Sequence, residues 1–179
     1  IVDPLPLLEQ HPEATLILYA IELATHGKVT GTGKPARIHS RNRMTKLTAA
    51  SPIPVCALLR RDRLDALFSE EIRQGEDWLF WLSNPRVFDH VVRLPGTRVA
   101  RIHAHGGNKS SNYQRRGKNR AWIARRMLAT HSAALTATQR HNLRIQIQIG
   151  ELQQGMPMRW ASLLLWPCTP TLYVKLWVY

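Results

Sequence analysis

Two carboxylates, Glu76 and Asp77, stand directly before Trp78, Leu79, Phe80, Trp81 and Leu82 in the stretch GEDWLFWL, residues 75–82. A helix starting here would be anchored by its apolar body while its first turn aims a carboxylate outwards. A general base needs this combination of rigid support and directed oxygen. The same acids also suit a plain helix start, where carboxylates meet free N–H groups and the positive end of the dipole, worth about 0.5–2 kcal/mol. Downstream, His103 and His105 are spaced i, i+2. In a strand both imidazoles then share one face and can approach a metal or a diphosphate; exposed or structurally hydrogen-bonded histidines are the simpler alternative. Arg60, Arg61 and Arg101 carry planar guanidinium forks that match phosphate oxygens, although arginines are common on any surface.

The elements that would position these groups follow from pattern. A short helix is expected over 4–10, and TLILYAIELA (15–24) is an apolar run of strand length, read as a buried strand. HGKVTGTGKPARIHSRNR (26–43), with its glycines and basic cluster, reads as loop. PVCALLRR (54–61) reads as a second buried strand running into a helix around RLDALFSEEI, where Leu64, Leu67 and Phe68 fall at helical spacing. The apolar helix after Gly75 comes next, then alternating strands at 91–94 and 97–105, a basic helical segment, and an apolar tail after Gly155. No internal repeat is present, and the interleaving of strands and helices gives an α/β class.

The 179 residues suffice for a real core, and 44% hydrophobic residues with six Trp argue against disorder. Cys56 and Cys168 are the only cysteines and lie far apart, which points to no disulfide framework or cysteine zinc site and makes a reducing cytoplasm the simplest compartment. The net charge of +13 is lopsided: residues 1–89 hold 11 Lys/Arg and 11 Asp/Glu, whereas residues 90–179 hold 14 Lys/Arg against the single acid Glu151. Such a surface attracts phosphates.

In order and spacing, PIPVCALLRRDRLDALFSEEIRQGEDWLFWLSNP (52–85) followed by VVRLPGTRVARIHAHGGNKSS (91–111) resembles the second half of the family-2 glycosyltransferases, the inverting enzymes of GT-A fold. The matching elements are the Arg60-Arg61 pair, Phe68, the Glu76-Asp77 pair opening an apolar helix, and His103 or His105 with Asn108 and Ser110. The likeness spans roughly residues 1–112, and its most specific parts are the Glu-Asp helix and the His-Gly-Gly-Asn segment. It implies a GT-A-like, Rossmann-like mixed sheet with flanking helices, and transfer of a sugar from a nucleotide-sugar donor to a glycan or lipid-linked acceptor hydroxyl with inversion. Asp77 is then the base and Glu76 orients the acceptor. His105 or His103 contacts a divalent cation (Mn²⁺ or Mg²⁺) or the diphosphate, and Arg60, Arg61, Arg101 and Asn108 are the substrate contacts.

The Asp-x-Asp type motif with which that family ligates its metal occurs nowhere in the chain, and no Gly-rich fingerprint or Walker loop replaces it. The expectation is therefore an acceptor-side portion over 1–112, lacking the nucleotide-binding half, with a basic helical and apolar extension over 113–179. An opening residue Ile1 rather than Met fits a chain cut from something longer.

KSSNYQRRGKNRAWIARR (109–126) has seven Lys/Arg and no acid. It suits a solvated basic helix near an anionic membrane, giving a peripheral contact on the cytoplasmic face. The rival from another class is a non-enzymatic basic module for nucleic acid or anionic membrane, with Tyr113 and Trp122 available for stacking. Nucleic acid is the less favoured partner, because no zinc finger, helix-turn-helix or RNA-binding signature surrounds the run. Residues 160–179 are apolar at 14 of 20 positions but broken by Pro167 and Pro170, so they suit a membrane interface or core packing better than a span.

Overall fold

A computed structural model describes residues 3, 5–51, 57–104 and 112–156. The chain divides into two compact units, 1–112 and 113–179. The first is α/β: a mixed four-stranded sheet with helices beside it.

Helix α1 (Leu5–Gln10) opens with the Asp3 carboxylate accepting from the Leu5 amide at 3.0 Å and buries Leu7. Strand β1 (Leu16–Thr25) is buried from Leu16 to Glu22, as its apolar run predicts. It turns at His26-Gly27, both at positive φ (49° and 77°), into β2 (Lys28–Gly33). The two-residue loop with both central residues left-handed matches the natural twist of a hairpin. The stretch expected to be loop (26–43) therefore holds a strand, and helix α2 (Arg43–Ala49) begins at its last residue. β2 carries alternating Thr and Gly and is largely exposed, so it lacked the apolar alternation that marks a strand.

β1 is the axis of the sheet. One edge pairs antiparallel with β3 (Ala57–Leu59) near Leu16 and with β2 near Thr25. The other edge pairs in parallel along its whole length with β4 (Val91–Ala104). The two strands expected at 91–94 and 97–105 are thus one long strand. Leu94 lies opposite Tyr19 and Arg98 opposite Ala20, so Pro95, Gly96 and Thr97 bulge out of the ladder. Pro95 has no N–H to give, and a bulge is where a strand tolerates it. Of the second expected strand (54–61), Ala57–Leu59 join the ladder, Arg60 and Arg61 lie past its end with Arg61 already in a 3-10 turn, and residues 54–56 lie outside the described residues.

Helix α3 (Glu76–Ser83) buries Trp78, Leu79, Phe80, Trp81 and Leu82. Aromatic packing continues from Phe80 edge-on to Trp81 and from Trp81 to Phe88, with centroids 5.0 and 5.8 Å apart. Thr15 ties this layer to β1: its hydroxyl donates to the Val87 carbonyl at 2.8 Å and accepts from the His90 amide at 3.1 Å.

The helix expected around RLDALFSEEI is absent; only a 3-10 turn at Arg61–Arg63 forms. Asn84 is the physical reason. Completely buried at the end of α3, its Oδ1 accepts from the amides of Asp65 (2.7 Å) and Ala66 (2.9 Å), and its Nδ2 donates to the carbonyls of Ala66 (3.0 Å) and Phe80 (2.8 Å). Backbone groups that a helix would pair internally are taken by one side-chain amide. The apparent helical spacing was accidental. Leu67 points to solvent at 68% exposure, and Phe68 lies flat on Phe80 with centroids 4.2 Å apart.

The second unit is a helical hairpin of α4 (Tyr113–His131) and α5 (Ala137–Gln153). Thr136 and Gln139 start α5 with a reciprocal capping box. The first turns of α4 meet the last turn of α5, so the helices run antiparallel. A Cβ on Gly117 would sit 2.5 Å from Gln153 Cβ and 2.6 Å from the Gly150 carbonyl, and one on Gly150 would sit 2.5 Å from the Gly117 carbonyl. The backbones touch there because neither residue has a side chain. The tail beyond residue 156 lies outside the described residues.

Candidate active site

Gly75, left-handed at φ 84°, precedes α3, and no side chain caps the helix. Glu76 and Asp77 occupy its first turn, half-buried. They meet the positive end of the dipole, but Asp77 does not spend its carboxylate on the helix's own amides: Oδ2 accepts from the Ser51 hydroxyl at 3.1 Å. The next residue fixes the helix start, because Trp78 Nε1 donates to the Leu47 carbonyl in α2 at 2.6 Å. The sequence feature predicted to give rigid support therefore does so, through a neighbour that pattern alone did not show. Ser51, 26 positions away, carries no local signal of its partnership with Asp77.

The expected phosphate contacts differ from one another. Arg60 is half-buried, and its guanidinium donates to the carbonyls of Ala14 (3.1 Å) and Leu8 (3.0 Å), which pins the chain between α1 and β1. Its visible work is structural. Arg61 is exposed in the 3-10 turn. Arg101 is engaged by Glu22: Nε lies 2.8 Å and Nη2 2.6 Å from Oε2 of its cross-strand neighbour, with Arg98 at 3.9 Å from Oε1. His103 is exposed on β4, opposite Ala24. His105 and Asn108 lie outside the described residues, as do Gly106, Gly107 and Ser110. Among the described residues no three His, Cys, Asp or Glu side chains converge in a way that would hold a metal ion.

No family model matches this chain, and neither a curated protein nor a solved structure matches it.

Glu22 and Asn84 are the organising polar residues that the sequence reading passed over. A single acid inside the ten-residue run TLILYAIELA was the available signal for the first, since a buried carboxylate demands a cationic partner. At 9% exposure Glu22 has one. The hydrogen bond from Arg101 draws its carboxyl below the ordinary value; burial opposes this, and the charges of Arg101 and Arg98 reinforce it.

A carboxyl depressed in the folded state stabilises the fold above its unfolded value of about 4.3, and that contribution disappears as pH falls through the folded value. We expect Glu22→Gln to be less stable than the parent near neutral pH, and its stability to decline less steeply on acidification. Urea midpoints measured from neutral pH to below the carboxylate range check this; parallel curves for the two proteins would show that the pair contributes nothing.

Proposed function

We propose that residues 1–112 form the acceptor-side portion of an inverting glycosyltransferase of GT-A type, with Asp77 as the general base. The observation that carries the reading is the mounting of Asp77: a half-buried carboxylate held by Ser51 at the head of a helix whose next five residues are buried. The resemblance of the Glu-Asp helix and the basic strand that follows it gives that carboxylate a reaction. The mixed sheet with β4 parallel to β1 is compatible with it.

In this reading Asp77 takes the proton from an acceptor hydroxyl as its oxygen attacks the anomeric carbon of the donor sugar. The bond from that carbon to the diphosphate oxygen breaks on the opposite side, and the configuration inverts. A carboxylate with a reference pKa near 4 is ionised at neutral pH and ready to accept the proton. Glu76, its neighbour in the first turn, orients the acceptor. Of the three arginines that the resemblance marks, exposed Arg61 is the one left for a diphosphate, because Arg60 and Arg101 already hold protein partners. The divalent cation implied by the resemblance finds no cluster of three His, Cys, Asp or Glu ligands among the described residues. His103, with His105, remains the pair that would approach the cation or the diphosphate.

A transfer assay over a panel of nucleotide-sugar donors, run on the chain within its natural sequence context, tests the proposal. Asp77→Asn should lower transfer by at least about a hundredfold with donor binding retained. Turnover unaffected by Asp77→Asn, or no donor bound at all, would leave Glu76 and Asp77 as helix-start acids.

A further inference from the structure

We propose that the outward face of α4 docks the second unit on an anionic lipid bilayer. The residues of α4 that are buried, Gly117, Ala121, Ile123, Ala124 and Met127, gather on one side of the helix. On the opposite side, at spacings of three, four, three and one, lie Arg115, Lys118, Trp122, Arg125 and Arg126. The four basic residues are exposed, and Trp122 is half-buried with the Arg126 guanidinium 5.0 Å above its ring. The helix contains six Lys/Arg and no acid. Glu151 is the single acid between residues 112 and 156 in the sequence, and Arg125 lies 2.5 Å from it.

Charge alone selects a phosphate-rich surface; the shape of the face selects a bilayer. Nineteen residues make a ridge roughly 28 Å long, with Trp122 near its middle and the exposed Tyr113 at its start. A plane meets such a ridge along its whole length. Long basic side chains then reach lipid phosphates while an amphipathic indole settles at headgroup level, each Lys or Arg near the surface contributing appreciably to binding. Single-stranded nucleic acid instead favours a groove with several stacking rings, which a convex helix whose two rings, Tyr113 and Trp122, are each covered by an arginine does not offer.

Co-sedimentation of the chain with phosphatidylcholine vesicles, with and without phosphatidylserine, measures the contact. Binding should require phosphatidylserine and weaken as salt rises. The double variant Arg115→Glu, Lys118→Glu should lower partitioning roughly thirtyfold or more, Arg115→Gln, Lys118→Gln should lower it less, and Trp122→Ala should weaken binding without abolishing its lipid selectivity. Far-UV circular dichroism confirms that the variants keep both helices. Equal binding to neutral vesicles, or folded charge-reversed protein that partitions like the parent, overturns the proposal. So does tighter binding to a single-stranded oligonucleotide than to the anionic vesicles with the same dependence on Arg115 and Lys118, which would reassign the face to nucleic acid.

Discussion

Asn84→Ala should cost the chain about 3–5 kcal/mol, a large share of the 5–15 kcal/mol that holds a typical domain together. The side chain makes four hydrogen bonds from a position with no exposure. Removing it strands the amides of Asp65 and Ala66 and leaves the carbonyls of Ala66 and Phe80 without this partner. Each buried group left unsatisfied costs about 1–3 kcal/mol, reduced where water or a local shift can reach it. Asn84→Asp should fare no better, since it keeps the two accepted bonds but sets a buried carboxylate against two carbonyl oxygens. Chemical denaturation followed by Trp fluorescence measures the loss, because Trp78 and Trp81 lie in the layer that Asn84 closes. A loss under about 1 kcal/mol would mean that the segment after Arg63 is held by other contacts.

Gly150→Val should be comparably damaging to the helical hairpin, and Gly150→Ala should already have an unusual sign. In an ordinary helix interior, Gly→Ala stabilises by roughly 1 kcal/mol through backbone entropy. Here the added methyl would lie 2.5 Å from the Gly117 carbonyl and 2.9 Å from the Ala121 amide, and backbone cannot swing aside as a side-chain tip can. The helices must separate, and overpacking of this kind costs about 1–3 kcal/mol, more for a branched side chain. We expect Gly150→Ala to be net destabilising and Gly150→Val to lose most of the α4–α5 packing. Thermal melts followed by far-UV circular dichroism decide it: a raised melting temperature for Gly150→Ala would show that the crossing is looser than these distances.

The parts legible in the sequence were those whose cause is local. Leu16–Thr25 is a strand because it is a mostly apolar run of strand length, and Glu76–Ser83 is a helix because a glycine precedes two acids and five apolar residues. What stayed hidden was held by partners remote along the chain. The amides that Asn84 captures lie 18 and 19 residues before it, and that capture erased a helix that local spacing favoured. Arg101 looked like an exposed phosphate contact because its partner Glu22 is 79 residues away, a single acid in an otherwise apolar run. The paired carboxylates were visible, but the Ser51 hydroxyl that steadies Asp77 was not, since a serine in a polar stretch resembles any other.

The pairing of β1 on both edges sets an order of events during synthesis. Its hairpin with β2 needs only a two-residue turn and can close within microseconds once residue 33 is available. Its parallel partner lies 75 positions downstream, at Leu16 opposite Val91, and that loop-closure cost must be met before any contact of the pair is gained. Until then one side of a strongly apolar strand stays open as a template for another chain. The nascent protein is therefore most exposed to aggregation while residues 34–90 are being made, and a chaperone that shields short apolar segments would act on Leu16–Ile21 in that interval.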